Sequence, residues 1–135
     1  MKIRALCILF LLVVPAWARS HKQPAKQAHP ADSDYVLALA NADRFLHAWQ
    51  TGDLENGMVL LSDGVRHSHN ADKLEQFFTN GTGRAYEIGA GHGNHGRYSF
   101  PVVLHVPQGT RVAHRSSEII LVNTGKDDWV VDKLP

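Results

Sequence analysis

Residues 97–106 read RYSFPVVLHV and alternate apolar with mostly polar side chains, a pattern that decides how this sequence is expected to fold. One side of the stretch carries Tyr98, Phe100, Val102, Leu104 and Val106. A period of two over this length predicts a β-strand with one buried face. Pro101 cannot donate a backbone hydrogen bond, so the strand is expected to lie at a sheet edge or to carry a bulge there.

Further strands are predicted on both sides of this one. Residues 84–91 form the strand before it, and residues 111–122 and 129–134 form the strands after it, with turns at 107–110 and 123–128. Residues 119–122 read IILV without alternation, which predicts that this end of its strand is covered on both faces. A partner subunit packed on the sheet would supply the second cover.

Upstream of the strands, the apolar period is that of a helix. A first helix is predicted from about Asp34 to Gly52, and a short second helix over residues 54–62 with Asp53 as its N-cap. A third helix is predicted from Asn70 to residues 80–81, after a loop. Helices followed by successive hairpins predict an α+β domain, in which an antiparallel sheet carries its helices on one face.

Residues 1–18 have the pattern of a secretory signal peptide. Lys2 and Arg4 precede an apolar run over residues 5–14, and residues 16–18, AWA, supply the small-x-small cleavage pattern. The run is shorter than the roughly 20 residues that a membrane-spanning helix needs. The sequence therefore predicts an exported protein, periplasmic or secreted, that has no membrane association after cleavage.

The rest of the chain is expected to hold a disordered linker, residues 19–31, and one domain, residues 32–135. The single cysteine, Cys7, lies in the predicted signal peptide, so the mature chain would have neither a disulfide nor a thiol nucleophile. Cleavage would remove two of the 14 basic residues and leave fewer of them than the 13 acidic residues. Such a chain lacks the basic footprint of a nucleic-acid-binding protein, and no cofactor is predicted.

Residues 91–96, GHGNHG, contain the Gly-x-Gly-x-x-Gly spacing of a dinucleotide-binding loop. That motif works only where a helix begins at the glycines, because the helix N-terminus holds the pyrophosphate. Here a predicted strand follows instead. The glycines are better explained as the tip of a hairpin, with Gly93, Asn94 and Gly96 at positive φ.

Two histidine pairs lie in predicted loops. His67 and His69 precede the third helix, and His92 and His95 lie at the hairpin tip. If the two loops meet, these four imidazoles form a site for zinc, copper or nickel. If they do not meet, all four are polar loop residues.

Three segments carry a resemblance to a known superfamily. Residues 45–54, FLHAWQTGDL, residues 60–65, LLSDGV, and the final strand with WVV at 129–131 resemble nuclear transport factor 2-like (SnoaL-like) proteins, over about residues 34–135. The resemblance implies a strongly curved antiparallel sheet with helices in its concave side, a cone with a pocket at its wide end. Members include isomerases, dehydratases and cyclases, and also non-enzymatic binding or dimerisation modules.

The resemblance also sets expectations for the pocket. Its wall is expected to include the aromatic residues Phe45, Trp49, Tyr86, Tyr98, Phe100 and Trp129. In the steroid isomerase branch a tyrosine of the first helix donates to the oxyanion, but Phe45 stands at that position here. The general-base aspartate of that branch would fall at residues 66–68, RHS, where there is no carboxylate.

His114, Glu118 and Asp132 are the remaining catalytic candidates. If they face the pocket, His114 forms an acid–base pair with Glu118 or Asp132; if they face outward, they belong to the wet face of a half-exposed sheet. The sequence favours an exported, non-enzymatic binding or dimerisation module with a cone-shaped pocket for a small apolar ligand, dimeric through its sheet. The alternatives are a SnoaL-like isomerase or dehydratase and, third, a histidine-based metal-binding protein.

Overall fold

A computed structural model describes residues 32–79 and 82–135 of the chain. The described residues form α1 (Ser33–Thr51), α2 (Leu54–Val59), α3 (Asp63–Ser68), α4 (Ala71–Phe78), β1 (Ala85–Ile88), β2 (His92–Asn94), β3 (Arg97–Gln108), β4 (Arg111–Gly125) and β5 (Asp128–Lys133). The predicted signal peptide, the predicted linker 19–31 and the predicted helix end at 80–81 lie outside the described residues. In this part of the chain no helix is long and apolar enough to cross a membrane.

Both ends of α1 follow from local chemistry. Asp32 is its N-cap, and its side chain accepts a hydrogen bond from the Asp34 amide at 3.1 Å. Gly52 ends the helix in the left-handed conformation, at φ 74°, and its amide bonds to the Ala48 carbonyl. The predicted first helix is confirmed to within a residue at each end.

The segment before the last helix is not the loop that the sequence predicted. Residues 63–68 form α3, which begins after Ser62, whose hydroxyl accepts a hydrogen bond from the Val65 amide at 3.2 Å. Val65 is buried against the core, so one apolar side chain anchors the short helix. Ser62 as N-cap and Asp63 in the first turn are the start signals that the prediction missed.

The sheet is antiparallel with the strand order β1-β3-β4-β5, and β2 pairs with β3 beyond the end of β1. The predicted strand 84–91 is confirmed only over Ala85–Ile88, β2 lies in the predicted hairpin tip, and β3 is central rather than an edge. The Pro101 carbonyl accepts a hydrogen bond from the Gly89 amide at 2.8 Å, in the gap between β1 and β2. In a strand the nitrogen and carbonyl of one residue point to the same side, so the nitrogen of Pro101 lies where the ladder is interrupted.

The two faces of the sheet differ sharply in burial. On the inner face, Tyr98, Phe100, Val102 and Leu104 of β3 are at most 4% exposed. Helix α1 contacts β1, β3, β4 and β5 on this side. The outer face carries the intervening residues of β3 and the residues directly opposite them on β4. At the IILV run the inner Ile119 and Leu121 are fully buried, whereas the outer Ile120 and Val122 are half-buried.

Arg84, just before β1, binds the C-terminal ends of two helices. Its guanidinium donates to the carbonyl oxygens of Trp49 at 3.2 Å, Phe77 at 3.0 Å and Thr79 at 2.6 Å, at the ends of α1 and α4. It also lies over the Trp49 ring, 4.8 Å from the ring centroid. Carbonyl groups at a helix C-terminus have no partner within the helix, so this cation satisfies several of them at once.

Candidate functional site

The interior of the cone is occupied by its own side chains. Five of the six residues expected on a pocket wall are at most 4% exposed: Phe45, Trp49, Tyr98, Phe100 and Trp129. They contact one another and the helices; the ring centroids of Tyr98 and Trp129 are 5.6 Å apart and those of Phe45 and Phe78 5.5 Å. These distances are those of packed aromatic pairs, so these residues form the core.

Tyr86, the sixth, is half-buried and works with Tyr98 to tie α1 to the sheet. The Tyr86 hydroxyl donates to the Asp43 carboxylate at 2.8 Å, and the Tyr98 hydroxyl donates to the carboxylate of Asp32, the N-cap of α1. Burial and the hydrogen bond to Asp43 raise the pKa of Tyr86 to about 12. The hydrogen bond to Asp32 and burial raise the pKa of Tyr98 to about 12. Both phenols keep their protons at neutral pH and act as structural donors.

His114, Glu118 and Asp132, the catalytic candidates, lie on the outer face. His114 and Glu118 are directly opposite His105 and Pro101, which alternate with the buried residues of β3. Asp132 follows the fully buried Val131 on β5 and so points to the other side.

The two carboxylates, Glu118 and Asp132, are each bonded to two other side chains. Ser99 and Lys133 donate to Glu118, the lysine at 3.2 Å, and these two contacts lower the pKa of Glu118. Asp132 accepts from Ser62 at 3.1 Å and from Arg97 at 3.2 Å. The structure does not bring the candidates together as an acid–base pair.

The four histidines of the predicted metal site lie in two separate segments and do not form one group. The Nδ1 atom of His67 donates to the Asp63 carbonyl at 2.7 Å, and the Nδ1 atom of His69 lies 3.1 Å from the Val65 carbonyl, both at α3. His92 and His95 are exposed on the β2–β3 hairpin. Across residues 32–79 and 82–135, no three His, Cys, Asp or Glu side chains are grouped so that they could hold one metal ion.

The sequence did not reveal two open clefts on the surface of the described residues. One cleft of about 280 Å³ lies between α1 and α2, lined by Arg44, His47, Thr51 and Asp53 among others. The other, which we call the outer cleft, has a volume of about 250 Å³ and is lined by Glu87, Ile88, Pro101, Val103, Ser116 and Ser117 among others. It opens where β1 leaves β3 at Gly89, which is the gap occupied by Pro101.

A pair of histidines on the outer face was also missed. His105 on β3 is directly opposite His114 on β4, and their Nδ1 atoms are 2.7 Å apart. The Glu87 carboxylate on β1 lies 3.1 Å from the Nε2 atom of His105. The pairing could have been found from the sequence only with the hairpin register, which places residues 105 and 114 symmetrically about the turn at 109–110.

Four helices in the inner side of this five-stranded antiparallel sheet give a nuclear transport factor 2-like α+β cone. Two designed proteins of that fold are similar in structure. A five-substitution variant of Rd1NTF2_05 has a TM-score of 0.57 at 12% identity, covering 70% of this chain and 91% of its own. Rd1NTF2_04 with long sheet has a TM-score of 0.54 at 14% identity, covering 70% of this chain and 94% of its own.

No protein-family profile matches the chain. No curated protein matches it either. The structural likeness therefore establishes the fold alone, and function has to be argued from the surface of this chain.

Proposed function

We propose that this protein is an exported, non-enzymatic module that self-associates through the outer face of its sheet. The observation that carries the proposal is the contrast between the cone interior, filled by its own aromatic core, and the outer cleft, which remains open. Export rests on the signal-peptide pattern of residues 1–18.

The outer cleft has the character of a contact surface for another protein. Its floor includes Pro101 and Val103, with Ser116 directly opposite Val103 on β4. Along the same face, Ile120 and Val122 remain half-exposed to solvent. A second copy packed on this face would supply the cover that the IILV run predicted from sequence.

A small apolar ligand fits the outer cleft less well than a second copy does. Its volume of about 250 Å³ lies below the roughly 300–1,000 Å³ of typical ligand pockets, and the cleft is open to solvent. A closed two-fold interface uses the same surface from both copies, so one moderately apolar face is sufficient to form it.

The test is sedimentation velocity of the purified protein over a range of concentrations, with two matched variants. The wild-type protein is expected to dimerise as its concentration rises. Ser116→Lys places an ammonium group in the outer cleft of each copy, so the dimer should weaken at least tenfold. Ser68→Lys, also an exposed serine but on α3, should dimerise as the wild type does. A protein that stays monomeric throughout, or two variants that behave alike, would overturn the proposal.

A catalytic role of the SnoaL-like type is the alternative, and it has weaker support. It requires His114 to reach Glu118 or Asp132 inside a pocket. Among the described contacts, Glu118 and Asp132 bond to Ser99, Lys133, Ser62 and Arg97 instead. The fold permits such an enzyme, but no contact of these residues favours it.

A further inference from the structure

The outer face carries a preformed arrangement of two imidazoles. His105 and His114 are directly opposite each other on β3 and β4, with ring centroids 4.8 Å apart and ring planes at 86°. Their Nδ1 atoms face each other at 2.7 Å. At this distance one Nδ1–H group donates to the other Nδ1 atom, and a transition-metal ion in place of that proton would be chelated by two imidazole nitrogens.

Glu87 fixes which nitrogen of His105 is available. Its carboxylate, 3.1 Å from the Nε2 atom, can only accept a hydrogen bond, so Nε2 carries the proton. In the neutral ring the lone pair is then on Nδ1, the atom that faces His114. A carboxylate on the outer nitrogen of a ligating histidine is the usual support of metal-binding imidazoles.

The two nitrogen atoms would have to move less for one metal geometry than for another. With metal–nitrogen bonds of about 2.0–2.1 Å, ligands at right angles lie about 2.9 Å apart and tetrahedral ligands about 3.4 Å apart. The observed 2.7 Å is close to the first value and well short of the second. Right-angle geometry is that of square-planar or tetragonal Cu(II) and Ni(II), and nitrogen sites bind Cu(II) more tightly than Ni(II) or Zn(II).

The adjacent cross-strand positions bring no cation to the same face. The neighbouring cross-strand pairs there are Val103 with Ser116 and Pro107 with Val112, none of them charged. His114 is exposed and His105 is half-buried, so the pair lies at the surface of the sheet.

We propose that His105 and His114 form a two-histidine Cu(II) site, with both Nδ1 atoms as ligands and Glu87 as the residue that orients His105. Water occupies the remaining coordination positions. The ion replaces the Nδ1 proton of His114, and the neutral ring carries its proton on Nε2 instead, so no net proton is released. Both ligands and Glu87 belong to a single chain.

The test is substoichiometric Cu(II) added to the isotopically labelled purified protein, with paramagnetic broadening read from amide NMR signals. The broadening is expected to centre on residues 105 and 114 and to disappear from that region in His105→Gln and in His114→Gln. The matched control, His92→Gln with His95→Gln, should leave it unchanged. Because the readout is local, copper bound by histidines elsewhere in the chain is not mistaken for this site.

Two further measurements sharpen the result. Glu87→Gln should weaken Cu(II) binding at this site by about 10–100-fold without moving the broadened region. Zn(II) in competition should displace copper poorly, since the nitrogen atoms must separate further to bind it. Broadening centred elsewhere, or undiminished in the two single variants, would overturn the proposal.

Discussion

The inner and outer faces of one sheet are built for different purposes. On the inner face every second residue of β3 from Tyr98 to Leu104 is buried against the helices, and the aromatic rings fill the cone. On the outer face the intervening residues are exposed or half-buried, and they include a cleft, two salt bridges and a histidine pair. In this protein the interior, where the fold is expected to have a pocket, is filled by side chains. The outer face of the sheet is the one that is exposed to solvent.

The largest expected effect is on the free energy of unfolding, and it separates two neighbouring isoleucines of β4 that lie on opposite faces of the sheet. Ile119→Ala on the inner face should lower the free energy of unfolding by about 3 kcal/mol, because a fully buried side chain leaves a cavity. Ile120→Ala on the outer face should lower it by about 1 kcal/mol, because this side chain is half-buried. Urea denaturation of both variants measures the difference. Equal losses would mean that the two faces are packed alike.

A second comparison tests how tightly the helix layer closes on the core. A Cβ atom added at Gly57 of α2 would lie 2.1 Å from Cε1 of Phe78, a fully buried ring. Gly57→Ala should therefore destabilise the protein by roughly 1–3 kcal/mol, despite alanine's better helix propensity.

Gly64 in α3 is the control for that substitution. An added Cβ atom would meet only the Ser62 hydroxyl oxygen, at 3.7 Å, an ordinary contact. Gly64→Ala should be neutral or stabilise the protein by up to about 1 kcal/mol. If the interior is full, the melting temperature should fall in Gly57→Ala and should not fall in Gly64→Ala. A stabilised Gly57→Ala protein would show that space remains beside Phe78.

The smallest expected effect concerns the link between Tyr98 and Asp32. The Tyr98 hydroxyl holds the pKa of Asp32 below its ordinary 3.8, and this contribution to stability is present at neutral pH and is lost as the pH falls through the lowered value. The pKa of Tyr98 is raised from 10.0 to about 12, so its contribution is complete below pH 10 and is lost between those two values.

Tyr98→Phe should therefore lower the melting temperature by a few degrees near neutral pH. The gap between wild type and variant should narrow in acid and again above pH 10. Melting temperatures measured across the pH range test both the narrowing in acid and the narrowing above pH 10. A gap that is constant with pH would mean that the hydroxyl does not bond to a carboxylate.

The sequence predicted the fold class because the signals for it are local. The start of the first helix near Asp34, its end at Gly52 and the alternation of residues 97–106 each require only neighbouring residues to interpret, and the structure confirms all three. It left Pro101 open between an edge and a bulge, because that choice depends on residues 85–94 pairing with the same strand. It missed α3 because a single buried residue, Val65, gives no period to detect.

The candidate sites were harder to predict than the fold. The side to which His114 and Glu118 point depends on strand register, and register is fixed by pairing across residues distant in sequence. The contact of His105 with His114 and Glu87 also depends on strand register, so the sequence did not predict it. Whether the cone is hollow depends on how large aromatic side chains share its volume, which composition alone does not give.

The most direct test of the central claim is a dilution series of the isotopically labelled protein followed by amide NMR. The account predicts that signals from the outer face, around Val103 and Ser116, shift with concentration, while signals from the buried core and from the cleft between α1 and α2 stay fixed. Shifts centred on Arg44 and His47 in that cleft, or no shift anywhere up to high concentration, would contradict it.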